Sequence, residues 1–183
     1  MPTKLVLIRH GMTDWNRQKR YCGRKDIELS SQGKRQARKL RKKLKGARFD
    51  VIYTSDRKRA ITTARIIFGS ARIIRIKDLR EMNFGTLEGL THKEAAKKWP
   101  VIYRKWLKAP FKNSIPNAER LNSFQKRVNT AMKRIIRFNR GKTIAIVCHG
   151  GTISMFIAGI LKKKDFWGYI PAAASINIVE YQK

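Results

Sequence analysis

Two histidines stand in matching places. His10 closes the apolar run Leu5-Val6-Leu7-Ile8-Arg9 and precedes Gly11; His149 closes Ile144-Ala145-Ile146-Val147-Cys148 and precedes Gly150-Gly151. A lone histidine is more often packed or solvated than catalytic, but two at corresponding positions are a stronger signal. Arg9 adjoins the first, and Arg57, Lys58 and Arg59 follow a third apolar run, Val51-Ile52-Tyr53. Arginine gives paired N–H donors to phosphate oxygens, and glycine lets main-chain N–H groups at a helix start come close to an anion. A pocket holding Arg9, Arg59, both imidazoles and the amides after His149 has the chemistry for a phosphate.

These residues can meet only if their runs lie side by side. Residues 4–8, 51–53 and 143–148 read as strands buried on both faces, whereas 72–76 and 175–181 alternate and read as outer strands. Helical stripes separate them. Gly33, Ala37, Leu40 and Leu44 mark a helix over 31–45 behind Ser30-Ser31; Ala60, Ala64 and Ile67 mark another; Thr91 to Glu94 has capping-box spacing; Leu121, Phe124, Val128, Ala131, Ile135 and Phe138 make the longest stripe. Such alternation predicts a three-layer αβα fold, one domain over 1–183, with a mostly parallel central sheet of about five strands. Ligands of such sheets sit at the carboxyl ends of the strands, where both histidines fall. The stretch 109–117, with Pro110 and Pro116, reads as a loop that can cover a site.

At this level of detail the chain resembles the histidine phosphatase superfamily, the phosphoglycerate mutase-like proteins. Arg9-His10-Gly11 matches the signature, Asn16 follows in register, and YCGRKDIELSSQGKRQA carries Gly23, Asp26, Leu29, Gly33 and Gln36 in the family's places. SDRKRAITTA resembles the serine-to-arginine segment, LREMNFGTLEG the acidic segment, and CHGG the second histidine segment. The resemblance implies that His10 attacks phosphorus and forms a phosphohistidine, with Glu81 as acid and then base. It implies that Arg9, Asn16, Arg59, His149 and the Gly150 N–H hold the phosphoryl oxygens, and it places Gly23 on the substrate rim. By spacing alone, Glu81 reads as an ordinary ion pair; only the matched segment assigns it to catalysis.

Two departures bear on the substrate. Met12 stands where the family commonly has glutamate, and the family's proline-glycine-glutamate-serine segment is here Pro116-Asn117-Ala118-Glu119-Arg120, which puts Glu119 and Arg120 at the rim with an added cation. The segment between Leu90 and Ala109 is short and has no adjacent arginine pair, unlike the mutases, and this favours a phosphatase. Among the phosphatases the chain is most similar to α-ribazole phosphatases and broad-specificity enzymes. The expected substrate is a small phosphorylated metabolite, with α-ribazole 5′-phosphate as a candidate; phosphoglycerate mutase is the alternative enzyme.

The charge balance raises a second class of function. Lys and Arg number 43 against 12 Asp and Glu, for a formal net charge of +31. Such an excess attracts polyanions, so a polyanion- or nucleic-acid-binding protein on a phosphatase scaffold is the competing reading, supported by the basic face of 31–45 and by Lys162-Lys163-Lys164. No recognition motif accompanies those cations.

Other classes fit less well. His10, His92 and His149 lack the close pairing of zinc motifs, so no metal or other cofactor is expected, and His92 reads as a surface helix residue. The longest apolar run, ISMFIAGIL, is about half of the ~20 residues a membrane span needs. Cys22 and Cys148 suit a reduced, cytoplasmic setting better than a disulfide framework. No pattern specifies an oligomeric state.

Overall fold

The computed structural model describes residues 1–163 and 167–182, so Lys164 of the 162–164 run lies outside the described residues. Five strands form one sheet in the order β3-β2-β4-β1-β5, where β1 is Thr3–Arg9, β2 Val51–Ser55, β3 Ile73–Ile76, β4 Thr143–Cys148 and β5 Ile176–Tyr181. β1, β2, β3 and β4 run parallel, with Ile8 opposite Val147 and Arg9 opposite Cys148, and β5 returns antiparallel along β1. This register sets the two histidine-bearing strand ends next to each other.

The alternation of the strand residues builds the layers. Val6, Ile8 and Val147 pack under α2 (Ser31–Lys43) and α3 (Lys58–Phe68), against Leu40, Ala60, Ala64 and Ile67. Leu5, Leu7, Ile144, Ile146 and Cys148 face the other way, against α6 (Leu121–Phe138) and α7 (Gly150–Ile160). Each large apolar side chain buried in this way contributes on the order of 2 kcal/mol. The stripe read from Leu121 onward holds, except that Phe138 at its end is 68% exposed.

Local chemistry fixes the helix starts. Ser30 Oγ accepts from the Gly33 N–H at 3.1 Å and opens α2, which stops at Lys43, two residues short of the sequence expectation. Thr91 and Glu94 form the expected capping box at the start of α4 (His92–Lys98). A further box, Thr13 with Asn16, opens the short α1 (Asp14–Arg17).

The stretch 109–117 is anchored through Ile115 and Pro116. After α5 (Pro100–Lys108), Ile115 is buried in a third apolar cluster with Leu87, Ala95, Tyr103 and Trp106. The Thr86 N–H donates to the Pro116 carbonyl at 3.1 Å. No described helix is long and apolar enough to cross a membrane.

Candidate active site

A cavity of about 170 Å³ opens at the carboxyl ends of β1 and β4, lined by Arg9, His10, Asn16, Glu81 and Gly150 together with apolar walls. His10 is 3% exposed, and its Nδ1 lies 2.7 Å from the Gly11 carbonyl. A carbonyl can only accept, so Nδ1 carries the proton and Nε2 keeps its lone pair. Burial first, then the Arg59 and Arg9 cations, hold this imidazole well below the ordinary value of 6.5, so it stays neutral. Gly11 makes the approach possible: its N–H donates to Thr63 Oγ1 at 3.1 Å, and a Cβ there would meet the Gly33 carbonyl at 2.5 Å.

His149 stands behind His10, ring centroids 5.2 Å apart and edge-on, and is fully buried. Arg59 Nε donates to His149 Nδ1 at 3.2 Å, so the proton is on Nε2, which donates to Ser55 Oγ at 2.8 Å. Burial and the same arginine also keep this ring neutral. Arg59, fully buried in the first turn of α3, donates from Nη1 to the Lys25 carbonyl at 2.9 Å and from Nη2 to the Gly23 carbonyl at 2.8 Å. Three of its five N–H bonds are so used, and Arg59 and His149 stand behind the residues that line the cavity.

The remaining expected contacts come from three other segments. Arg9 Nη1 donates to the Pro171 carbonyl, and its buried Nε has no partner among the described residues. Asn16 Oδ1 accepts from the Thr13 N–H at 3.1 Å, which leaves the amide N–H₂ group as donor. Gly150 opens α7, and a Cβ there would stand 3.0 Å from the Arg9 guanidinium carbon, so any larger residue would push on Arg9. The positive end of the α7 dipole adds to the field of the arginines.

Glu81 is 7% exposed on the cavity wall. Its Oε1 accepts from the Met82 N–H at 2.9 Å and its Oε2 from the Gly151 N–H at 2.7 Å. Burial raises its pKa above the ordinary 4.5 despite these donors and the nearby Arg59 and Arg9, which pull the other way. A carboxyl whose protonated form is favoured by burial, on the same cavity wall as His10, suits proton transfer.

The four rim residues read from the sequence lie outside the cavity lining. Met12 braces the motif through its backbone: its N–H donates to Gln36 Oε1 at 2.9 Å and its carbonyl accepts from Ser30 Oγ at 3.0 Å. Gly23 is buried, and its carbonyl holds Arg59. Glu119 is bound by the Arg127 fork at 2.9 and 2.8 Å, and Arg120 is exposed at the start of α6.

Residues given no site role from the sequence form much of the wall, Tyr21, Cys22, Phe124, Trp167 and Ile170, beside Met82 and Phe84, which flank Glu81 in the chain. Their signal was weak, since they come from distant segments and meet only in the fold. Ser55, the partner of His149, had a faint one in the polar turn that ends β2. Cys22 is free, and burial pushes its thiol up. Among the described residues no group of three His, Cys, Asp or Glu side chains is placed to hold a metal ion.

Comparison with known proteins gives the same direction. A family model described as histidine phosphatase superfamily (branch 1) matches residues 5–183. Phosphoserine phosphatase 1 of Hydrogenobacter thermophilus is 30% identical over 184 residues, covering 98% of this chain and 87% of that protein. The crystal structure of a putative α-ribazole-5′-P phosphatase from Escherichia coli superposes with a TM-score of 0.90 at 27% identity, over 98% of this chain and 91% of that one. Phosphoserine phosphatase from Entamoeba histolytica, solved with 3-phosphoglyceric acid, gives 0.85 at 32% identity, over 96% and 89%.

Proposed function

The chain belongs to the histidine phosphatase superfamily, branch 1, and on that premise we propose a cytoplasmic phosphomonoesterase that works through a phosphohistidine on His10. The observation that carries this reading is the tautomer of His10: with Nδ1–H tied to Gly11, the Nε2 lone pair is held in a cavity shared with Arg9 and Glu81.

In the first step Nε2 attacks phosphorus in line; the P–N bond forms as the ester P–O bond breaks, and the Glu81 carboxyl proton passes to the leaving oxygen. Arg9, Asn16 and the Gly150 N–H face the charge on the phosphoryl oxygens, and Arg59 adds its own positive charge from behind. His149 acts through Arg59 and the His10 ring, which it packs against. In the second step Glu81 takes a proton from water, the water oxygen bonds to phosphorus, and the P–N bond breaks. Inorganic phosphate leaves and His10 is restored.

For the substrate, the aromatic walls Tyr21, Phe84 and Trp167 support an ester whose leaving group carries a flat ring, and we assign α-ribazole 5′-phosphate. The test is phosphate release in EDTA across α-ribazole 5′-phosphate, phosphoserine, phosphoglycerates, sugar phosphates and nucleotides. The ring ester should give the highest kcat/KM. Preference for phosphoserine by about tenfold, ~1.4 kcal/mol of transition-state binding, would replace the substrate assignment. Phosphoryl transfer between positions of phosphoglycerate without net release would make the chain a mutase.

A further inference from the structure

A phosphate pocket needs a few cations, so most of the +31 has to be explained elsewhere. The carboxylates are not scattered. No Asp or Glu occurs from Leu29 to Phe49, from Arg57 to Lys77 or from Arg120 to Lys164. Most of them sit instead on the loops around the strand carboxyl ends, in ion pairs such as Arg20–Glu94 at 2.8 Å, Lys58–Glu28 at 3.4 Å and Arg127–Glu119 at 2.8 Å. The catalytic end is therefore partly neutralised, and the charge imbalance lies behind it.

Chain direction sets where it lies. α2 carries the chain from the carboxyl end of β1 to the amino end of β2, and α6 delivers it to the amino end of β4, so both helices finish at the pole opposite the cavity. α2 finishes on Arg41, Lys42 and Lys43, with Lys45 just beyond; α6 finishes on Arg137, with Arg140 just beyond. All six are exposed, and none forms an ion pair among the described residues. The carboxylates at this pole are engaged: Asp50 accepts from the Thr143 N–H at 2.8 Å, and Glu180 lies 3.7 Å from Lys4. Each helix carboxyl end also tolerates these cations through its dipole.

α2 extends the pole into a ridge. Arg38 and Arg41 on the helix, then Lys45 just past its end, follow one another at three- or four-residue spacing, about 6 Å of rise for four residues. Its apolar side, Gly33, Ala37 and Leu40, is already buried against the sheet, so the helix has no apolar face left for insertion into a lipid surface. What it offers is a closely spaced row of cations on a rigid rod.

We infer that the α2 ridge and the pole it shares with α6 bind the phosphodiester backbone of a nucleic-acid strand, on the far side of the molecule from the catalytic cavity. Binding is independent of sequence, since the ridge offers cations and no base-reading group, and it leaves the cavity open, so the enzyme turns over its substrate while bound.

The experiment is fluorescence polarisation with a labelled single-stranded RNA of about 20 nucleotides, titrated across a salt series, for the wild-type chain and two charge-reversed variants. One changes Arg38, Arg41 and Lys42 to Glu; the control changes Lys97, Lys98 and Lys105, on α4 and α5, so the net charge is the same in both. Expected are a loss of about tenfold or more in the ridge variant, a salt slope shallower by about 2, and a much smaller loss in the control. Unchanged melting temperature and phosphatase activity in the ridge variant keep the comparison clean. Equal losses in the two variants, no RNA binding at low salt, competitive inhibition of turnover by the RNA, or tighter retention on anionic vesicles at the same salt would each overturn the inference.

Discussion

Arg59 Nε donates to His149 Nδ1 at 3.2 Å, and on its other side the same imidazole meets Ser55 Oγ at 2.8 Å. Because the two histidines are buried and neutral, the arginine supplies the charge and the imidazole supplies its orientation. Arg59→Lys keeps the charge but loses the fork that reaches His149, Lys25 and Gly23, so kcat should fall by about 10²–10³. Ser55→Ala removes only the far anchor and should cost about tenfold or less. Steady-state rates on a common aryl phosphate check both; equal losses would mean that the serine does more than orient the ring.

Glu81→Gln tests the proposed proton donor apart from the rest of the site. Esters with poor, alkyl leaving oxygens need that proton and should slow by about 10²–10⁴, whereas an aryl ester with a good leaving group needs it little in the first step. The aryl ester should therefore still show a burst of one equivalent before a slow steady state, because dephosphorylation also uses Glu81. Stopped-flow traces of the two esters provide the comparison; equal slowing of both first steps would remove Glu81 from its role as acid.

Stability should depend on pH in a direction the buried rings set. Both His10 and His149 are held below the ordinary 6.5, chiefly by burial, so the unfolded chain binds protons that the folded chain refuses. Their contribution is present above about pH 6.5 and is lost as pH falls. Glu81 runs oppositely: its raised folded value adds stability at low pH that disappears as pH rises through it. Melting temperature should drop from about pH 7.5 to about pH 5.5, with a shallower slope in His10→Gln. A flat wild-type profile would contradict the burial of neutral rings.

Gly23→Ala tests a position whose reason is packing. A Cβ there collides with the Met82 carbonyl and comes within 2.6 Å of Glu88 Oε1, while the Gly23 carbonyl must stay in place for Arg59. Urea unfolding should show a loss of about 1–3 kcal/mol, and kcat should fall with it. Unchanged stability would mean that the loop relaxes freely.

Much of this was legible beforehand, for physical reasons. Apolar runs such as 143–148 can hardly be anything but central strands, and the stripe from Leu121 repeats too regularly to miss. His10 and His149 were visible because each stands between such a run and glycine. Pairings across the fold were not. The Arg127 fork to Glu119 and the tie from Gly23 to Arg59 connect segments whose proximity only the sheet order creates. A carboxylate and a glycine near a motif therefore read as substrate rim, whereas one is bound in an ion pair and the other holds Arg59 from behind.

A phosphoryl group on His10 can be caught by rapid acid-free quenching with a ³²P-labelled aryl phosphate. In Glu81→Gln, whose second step is slow, the protein-bound label should approach one equivalent per chain, be stable in base, be lost in acid, and be absent when His10→Ala is added. Release of one equivalent of aryl alcohol by Glu81→Gln with no trapped label, or label that persists when His10→Ala is added, would contradict a phosphohistidine on His10.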